Sequence, residues 1–377
     1  MNALLDATLR HLAALVAFDT RNPPRAIDTG GIFDYLRAHL PGFRFTLTDH
    51  GAGAVSLHAV RGRPRLLFNV HLDTVPASPQ WSADPFVLRV QADRAIGLGA
   101  CDIKGAAAAM LAAAHAGDGD MAILFTTDEE ANDARCIAGF LAAHPAYEAV
   151  IVAEPTRGEA VLAHRGIHSV QVRFAGHAGH ASGVQRPGDS AVHQLVRWGA
   201  AALDHVQSLA HARFGGLTGL RFNIGRVEGG IKANVIAPEA EARFGFRPLP
   251  SMDPDALLET FRTLVEPQPV GFAELFRGPA LPAGDIAHAE ARRLAARDLA
   301  EALGLSIGHA VDFWTEASLF SAAGYTAFVC GPGDIAQAHT ADEWVALDQL
   351  EHYAQAIHRI IGKRGPARPL SGSCVRG

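Results

Sequence analysis

The chain encodes an α/β protein with a mixed sheet, interrupted by a small inserted α+β sandwich. From about residue 43 to residue 164, short apolar runs alternate with helical segments, the mark of a parallel or mixed sheet covered by helices. At Arg165-Gly166 the pattern turns to half-exposed strands and amphipathic helices, and after about Leu275 the α/β character returns. These changes divide the chain into a discontinuous domain, 1–165 with 275–377, and an insertion, 166–274. With 377 residues there is length for two hydrophobic cores.

Each element has a local cause. Leu4, Leu5, Leu9, Leu12, Leu15 and Val16 recur at helical spacing, broken by Asp6, Arg10 and His11, ahead of Pro23-Pro24. That is an amphipathic helix, too polar for a signal-peptide core. The runs 66–70, 123–125 and 150–153 read as strands, and 106–116 is alanine-rich helix by propensity. In the insertion, Val170, Val172 and Phe174 alternate with Gln171 and Arg173 as one face of a strand. A helix capped by Asp189 follows, with Val192, Leu195, Val196, Leu203 and Val206 on its apolar face. Strands at 220–227 and 239–247 precede a helix at about 255–265, opened by Pro254, and 270–272 supplies a fourth strand. Strand-helix-strand-strand-helix-strand is a ferredoxin-like order. A helix at 287–303, ended by Gly304, and a strand at 326–330 complete the chain.

Composition excludes several functions. A formal charge of −6 without clustered Lys/Arg argues against nucleic acid or an anionic membrane as partner. Arg61, Arg63 and Arg65 read as a solvated turn, and Lys363, Arg364 and Arg368 as a frayed end. No uninterrupted apolar stretch is long enough to span a membrane. Cys101, Cys136, Cys330 and Cys374 form no C-x-x-C pair and fit reduced thiols in a cytoplasm.

What remains is a set of side chains at strand ends. His71 follows one apolar run, with Asp73 two residues on; Asp128-Glu129-Glu130 follows another; Glu154 closes a third; and His339 lies after the strand at 326–330. Asp102 opens the alanine-rich helix. Ligands of open α/β sheets bind at the carboxyl ends of strands, so these residues can meet on one rim. Two imidazoles beside several carboxylates would repel unless a cation neutralised them, and mixed nitrogen and oxygen donors suit zinc or a similar ion. Singly, each has a bland reading: Asp102 as a helix cap, Asp128 to Glu130 as acids in a first turn, His339 as a surface histidine. Together they read as a metal site, with Asp73 orienting His71 from behind. The Gly97-Leu98-Gly99 start of a dinucleotide fingerprint fails, because Asp102 stands where the third glycine is required.

The stretches 71–76 (HLDTVP), 99–105 (GACDIKG), 127–130 (TDEE), 153–156 (AEPT) and 338–339 (AH) resemble the ligand motifs of the M20 co-catalytic metallohydrolases. The stretches 163–166, 246–250, 313–317 and 331–333 are similar to the acetylornithine deacetylase branch, and the match runs in order along nearly the whole chain. The resemblance implies a metal-dependent catalytic domain, an inserted dimerisation (lid) domain, a homodimer through that insertion, and two divalent ions per chain, zinc or alternatively cobalt. It implies that His71, Asp102 and Glu154 hold one ion, that Asp102 bridges to a second held by Glu130 and His339, and that Glu129 is the general base. It gives His180, in Gly179-His180-Ala181-Ser182, a catalytic role in the partner subunit's site. Asn234 and Arg247 match positions that hold a substrate carboxylate, and Thr315 joins them as a substrate-binding residue.

The substrate implied is a small N-acetyl amino acid of arginine biosynthesis. Ornithine-specific members carry an acid shortly before the position of Asn234; this chain has Lys232 in that segment. A lysine facing the pocket repels the ornithine ammonium and tolerates neutral citrulline, so N-acetyl-L-citrulline is expected ahead of N-acetyl-L-ornithine. Glu316 argues the other way if it points inward. The rivals are an aminoacylase or dipeptidase using the same ions, and a non-catalytic binding protein, which would have no need of Glu129.

Overall fold

Helix α1 (Ala3–Val16) is capped by the Asn2 side chain and buries Leu5, Leu12, Leu15 and Val16, the expected apolar stripe. The computed structural model describes residues 2–362 apart from 144, 185 and 187. The basic tail and Cys374 lie outside the described residues.

Strands β1 (Arg44–Asp49), β2 (Val55–Arg61) and β3 (Leu66–His71) begin the main sheet. Helix α2 (Lys104–Ala116) leads to β4 (Met121–Thr126), and helix α3 (Arg135–Ala142) to β5 (Ala149–Val152). The insertion contains β6 (Ile167–Ala175), α4 (Ala191–Ser208), β7 (Arg221–Gly229), β8 (Glu239–Arg247), α5 (Pro254–Thr263) and β9 (Gly271–Gly278). Helix α6 (Ala289–Leu303), β10 (Thr326–Val329) and α7 (Leu347–Gly362) follow.

The main sheet has the order β1-β2-β4-β3-β5-β10. It is mixed: β4 and β5 flank β3 in parallel, β10 runs parallel to β5, and β1 and β2 run antiparallel at the other edge. Strands β4 and β5 are buried at every position, which is why they read as unbroken apolar runs. Residues 104–114 of α2 are likewise buried on all sides, and the helix packs against α1 and α7. Alanine makes this possible, since its small side chain lets helices approach closely without leaving voids.

The second sheet has the order β7-β8-β6-β9, antiparallel throughout, with α4 and α5 on one face. Its core joins Val170, Val172 and Phe174 to Trp198, Phe244, Phe246 and Phe261. This is the expected ferredoxin-like arrangement, and α5 begins with Pro254 at its first turn as anticipated. Strand β9 continues to Gly278, past the junction expected at 274/275.

Helix α4 differs from its sequence reading. Its cap is Ser190, which accepts from the His193 N–H, while Asp189 accepts from Arg186 N in the preceding turn. Its buried face is Ala191, Gln194, Leu195, Trp198, Gly199 and Ala202, whereas Val196 and Leu203 are exposed. Trp198 sets the face: it is fully buried and donates from Nε1 to the Phe261 carbonyl at 2.7 Å. Its truncation to Ala would cost about 3–5 kcal/mol. Arg61 is no solvated turn residue; its guanidinium donates to the Gly119 and Ala114 carbonyls and covers the Phe43 ring. No helix among the described residues is long and apolar enough to cross a membrane.

Candidate metal centre

The register of the main sheet gathers the rim. His71 is the last residue of β3 and pairs with Thr126 at the end of β4, so 128–130 emerge beside it. Glu154 lies two residues beyond β5. The loop after β10 passes close behind it: a Cβ at Gly331 would come within 2.5 Å of the Glu154 carbonyl oxygen, so only glycine fits there.

Two groups of donors result. One ligand atom from each of His71, Asp102 and Glu154 lies within 4.8 Å of the others, and the same holds for Asp102, Glu130 and His339. Asp102 belongs to both. Its Oδ1 faces His71 Nε2 at 3.1 Å and its Oδ2 faces His339 Nε2 at 3.4 Å. His71 Nε2 is 3.8 Å from Glu154 Oε1, and His339 Nε2 is 3.1 Å from Glu130 Oε1. The bland readings fail at Asp102 and at 128–130, while His339 is exposed but turned toward Asp102 and Glu130. Ile103, not Asp102, is the cap residue of α2, and no helix begins at 128–130, because α3 starts at Arg135. His339 has left-handed backbone (φ 60), a conformation costing roughly 1–3 kcal/mol that the surrounding structure must hold.

The electrostatics call for a cation. Burial opposes protonation of His71, but Asp102 and Asp73 outweigh it and raise its pKa well above the usual value. His339 is pushed up to about 11 by Asp102 and Glu130. Burial also opposes the charged form of Asp102, yet His339 and His71 hold its pKa low. Glu154 is driven well above the carboxylate range, chiefly by burial, and its Oε1 is buried without a hydrogen-bond partner among the described residues. Histidines that gain protons beside acids that cannot ionise freely are the signature of surplus negative charge, which a divalent ion relieves. Two nitrogens and three carboxylates around a shared Asp102 are a donor set that fits a pair of such ions.

The supporting contacts extend behind the ligands. His71 Nδ1 donates to the Asp73 carbonyl at 3.0 Å, and its ring also lies near the Asp73 carboxylate, at 3.5 Å. Asp73 Oδ2 accepts from Glu130 N at 3.0 Å and Asn22 Nδ2 at 3.1 Å, so one side chain braces a candidate donor from each group. Lys104 is fully buried and donates to the Phe18 carbonyl; burial lowers its pKa to about 7. Sequence reasoning missed Asn22, Lys104 and a buried Glu343. The last carried one signal, an acid four residues after His339.

A cleft of about 240 Å³ opens onto both groups and is lined by Asp102, Glu129, Glu130, Glu154, Arg247 and His339, among others. Burial pushes Glu129 up to about 8, aided by Glu130 and Asp102. Arg247, at the end of β8, has a buried Nη1 without a hydrogen-bond partner among the described residues. Thr315 does not reach this wall: it is fully buried and its hydroxyl accepts from Ala317 N, while Phe313 and Trp314 line the cleft. Glu316 is also buried, with Oε2 accepting from Thr126, and does not line the cleft either.

His180, Lys232 and Asn234 are elsewhere. All three are exposed on the insertion, and none lines this cleft in its own chain. His180 pairs with Val235 in an isolated bridge, and Ala181 N donates to the Asn234 carbonyl, so His180 and Asn234 share one local structure.

Comparison with known proteins agrees with this architecture. Residues 67–363 match the model of peptidase family M20/M25/M40. The chain is 72% identical over 362 residues to N-acetyl-L-citrulline deacetylase of Xanthomonas campestris pv. campestris, covering 96% of this chain and 99% of that one. It is 31% identical over 399 residues to acetylornithine deacetylase of Myxococcus xanthus, covering 96% and 98%. A solved structure of a Bacillus subtilis dinuclear metal-binding peptidase of the M20 family superposes with a TM-score of 0.64 at 16% identity, covering 95% of this chain and 98% of that one. The sheet order, the paired ligand groups and these near end-to-end matches have a common source: the chain belongs to peptidase family M20/M25/M40.

Proposed function

We propose that the chain hydrolyses the acetyl amide of N-acetyl-L-citrulline, giving L-citrulline and acetate in arginine biosynthesis. The carrying observation is a single cleft lined by Glu129, by Arg247, whose Nη1 has no hydrogen-bond partner among the described residues, and by every member of the two donor groups except His71, which lies buried behind Asp102. The high identity to the Xanthomonas deacetylase supports the choice of substrate.

His71, Asp102 and Glu154 hold one divalent ion, and Asp102, Glu130 and His339 a second; zinc suits the donors, with cobalt as a substitute. When bound, the pair supplies Lewis acidity and a more acidic water. Glu129 takes the proton as water oxygen bonds to the acetyl carbon, then gives it to the departing nitrogen as the C–N bond breaks. Burial raises the pKa of Glu129 and so strengthens it as a proton acceptor. Arg247 binds the α-carboxylate through two parallel N–H donors, a geometry lysine lacks. Asp73 orients His71.

The residues outside this cleft support a homodimer through a lid domain at 166–278, whose last strand ends at Gly278, between catalytic pieces 1–165 and 279–377. Strand β7 is a mostly exposed edge, and Val196, Leu203, Val227 and Ile231 are exposed apolar side chains on the same unit. In the dimer His180 stabilises the oxyanion in the partner's site, Asn234 contacts the substrate carboxylate, and Lys232 disfavours the ornithine ammonium. The buried free thiols Cys101, Cys136 and Cys330 fit a cytoplasmic location.

The test is the kcat/KM of the metal-loaded protein on N-acetyl-L-citrulline and N-acetyl-L-ornithine. The reading requires a citrulline preference of about tenfold or more, the scale of one unpaired polar group. A preference for ornithine would make the chain an acetylornithine deacetylase instead.

A further inference from the structure

The strand Arg94–Ile96 runs directly into the loop that carries Asp102, and Trp344–Ala346 pairs with it antiparallel, Trp344 opposite Ile96. One residue further, Gly97 N donates to the Glu343 carbonyl at 3.0 Å. This pairing delivers the Glu343 side chain over the loop. Its Oε1 accepts from Cys101 N at 2.8 Å and Asp102 N at 2.9 Å, and its Oε2 accepts from Gly99 N at 3.1 Å. The loop is tight: Gly99 has φ 78, and a Cβ there would come within 2.7 Å of Thr74 Cγ2.

Glu343 is only 2% exposed. A second buried carboxylate behind Asp102 is electrostatically adverse, so filling space does not explain it; three charge-assisted backbone bonds do. His339 lies four residues upstream of Glu343 in the same segment. We propose that Glu343 is the positioning residue of the metal centre, fastening the loop of the shared ligand Asp102 to the segment that carries His339. The proposal rests on reading Asp102 and His339 as ligands of one ion. It makes Glu343 responsible for the separation of those ligands, and through it for ion affinity.

Glu343→Gln keeps the shape and one acceptor oxygen, but turns an NH2 toward the Gly99 N–H. Glu343→Ala removes every acceptor. Full-length protein stripped of metal is titrated with Zn²⁺ against a chromophoric chelator, and the unfolding temperature of the metal-free protein is measured alongside. Glu343→Gln should weaken at least one ion by about 10-fold and Glu343→Ala by up to about 100-fold, the range for groups that orient metal ligands. Metal-free Glu343→Gln should still unfold within a few degrees of the parent. If folded Glu343→Gln binds both ions as the parent does, or loses stability without losing affinity, the proposal is overturned. Should Glu343→Ala fail to fold, Glu343→Gln alone decides. Asp102→Ala separates the two readings: if it retains both ions the ligand assignment itself is wrong, and if it loses them while Glu343→Gln does not, only the role of Glu343 falls.

Discussion

The rim of the main sheet and the exposed loops of the insertion carry the same kinds of residue in opposite settings. On the rim, His71, Asp102 and Glu154 are buried and within reach of one another, with Asp73 bracing His71 from behind. On the insertion, His180 and Asn234 are exposed, neighbours of each other, and absent from the lining of the cleft. The donor groups of the rim come together within one chain, whereas the exposed residues of the insertion do not line the cleft of theirs. Under the proposed function the first setting belongs to an ion and the second to a partner subunit.

The largest effect should come from the residue shared by both donor groups. Asp102→Ala should lose tightly held metal and lower kcat/KM by about 10⁴-fold, as for groups that act as a unit. Metal analysis after gel filtration, with single-substrate kinetics, checks both. Retention of both ions would dissolve the contrast, since the rim would then not depend on its shared carboxylate.

Subunit mixing tests the other half. His180→Ala and Glu129→Ala chains, each inactive, should recover about a quarter of the parent activity after full exchange, because half the dimers are mixed and each has one intact site. No recovery after verified exchange would return His180 to its own chain or remove it from catalysis. A smaller effect is expected at Lys232: Lys232→Asp should shift the citrulline-to-ornithine ratio of kcat/KM by about tenfold toward ornithine, the scale of one charge contact at a partly solvated site. An unchanged ratio would clear Lys232 of selectivity.

Much of the rim was legible because His71, Glu130 and Glu154 end or follow buried strands, and unbroken apolar runs mark where such strands stop. The ferredoxin-like order was legible from alternation in 170–174 and from Pro254. The face of α4 was not, because Val196 and Leu203 read as core, whereas Trp198 with the small residues Gly199 and Ala202 forms the buried side and leaves those two in the open. Glu343 left little trace, since a carboxylate that binds backbone N–H groups follows no spacing rule. Thr315 was misplaced because motif membership does not say which way a side chain turns.

A separate effect, on stability rather than on activity, concerns pH. His164 is fully buried at the junction with the insertion, and burial lowers its pKa to about 4 from a usual value of 6.5. The unfolded chain therefore binds a proton first as pH falls. Stability attached to His164 is present above about 6.5 and lost progressively down to about 4, by up to about 3 kcal/mol for this group. Unfolding of metal-free protein between pH 7.5 and 5 should show that slope, shallower in His164→Asn. An unchanged slope would mean that His164 ionises alike in both states.

The most direct test of the account is Glu129→Ala with metal content and turnover measured on the same sample. A base beside the ligands predicts kcat lower by about 10²- to 10⁴-fold with two ions per chain retained. Full turnover would remove Glu129 from the chemistry, and loss of the ions would show that Glu129, rather than Glu130, is the ligand.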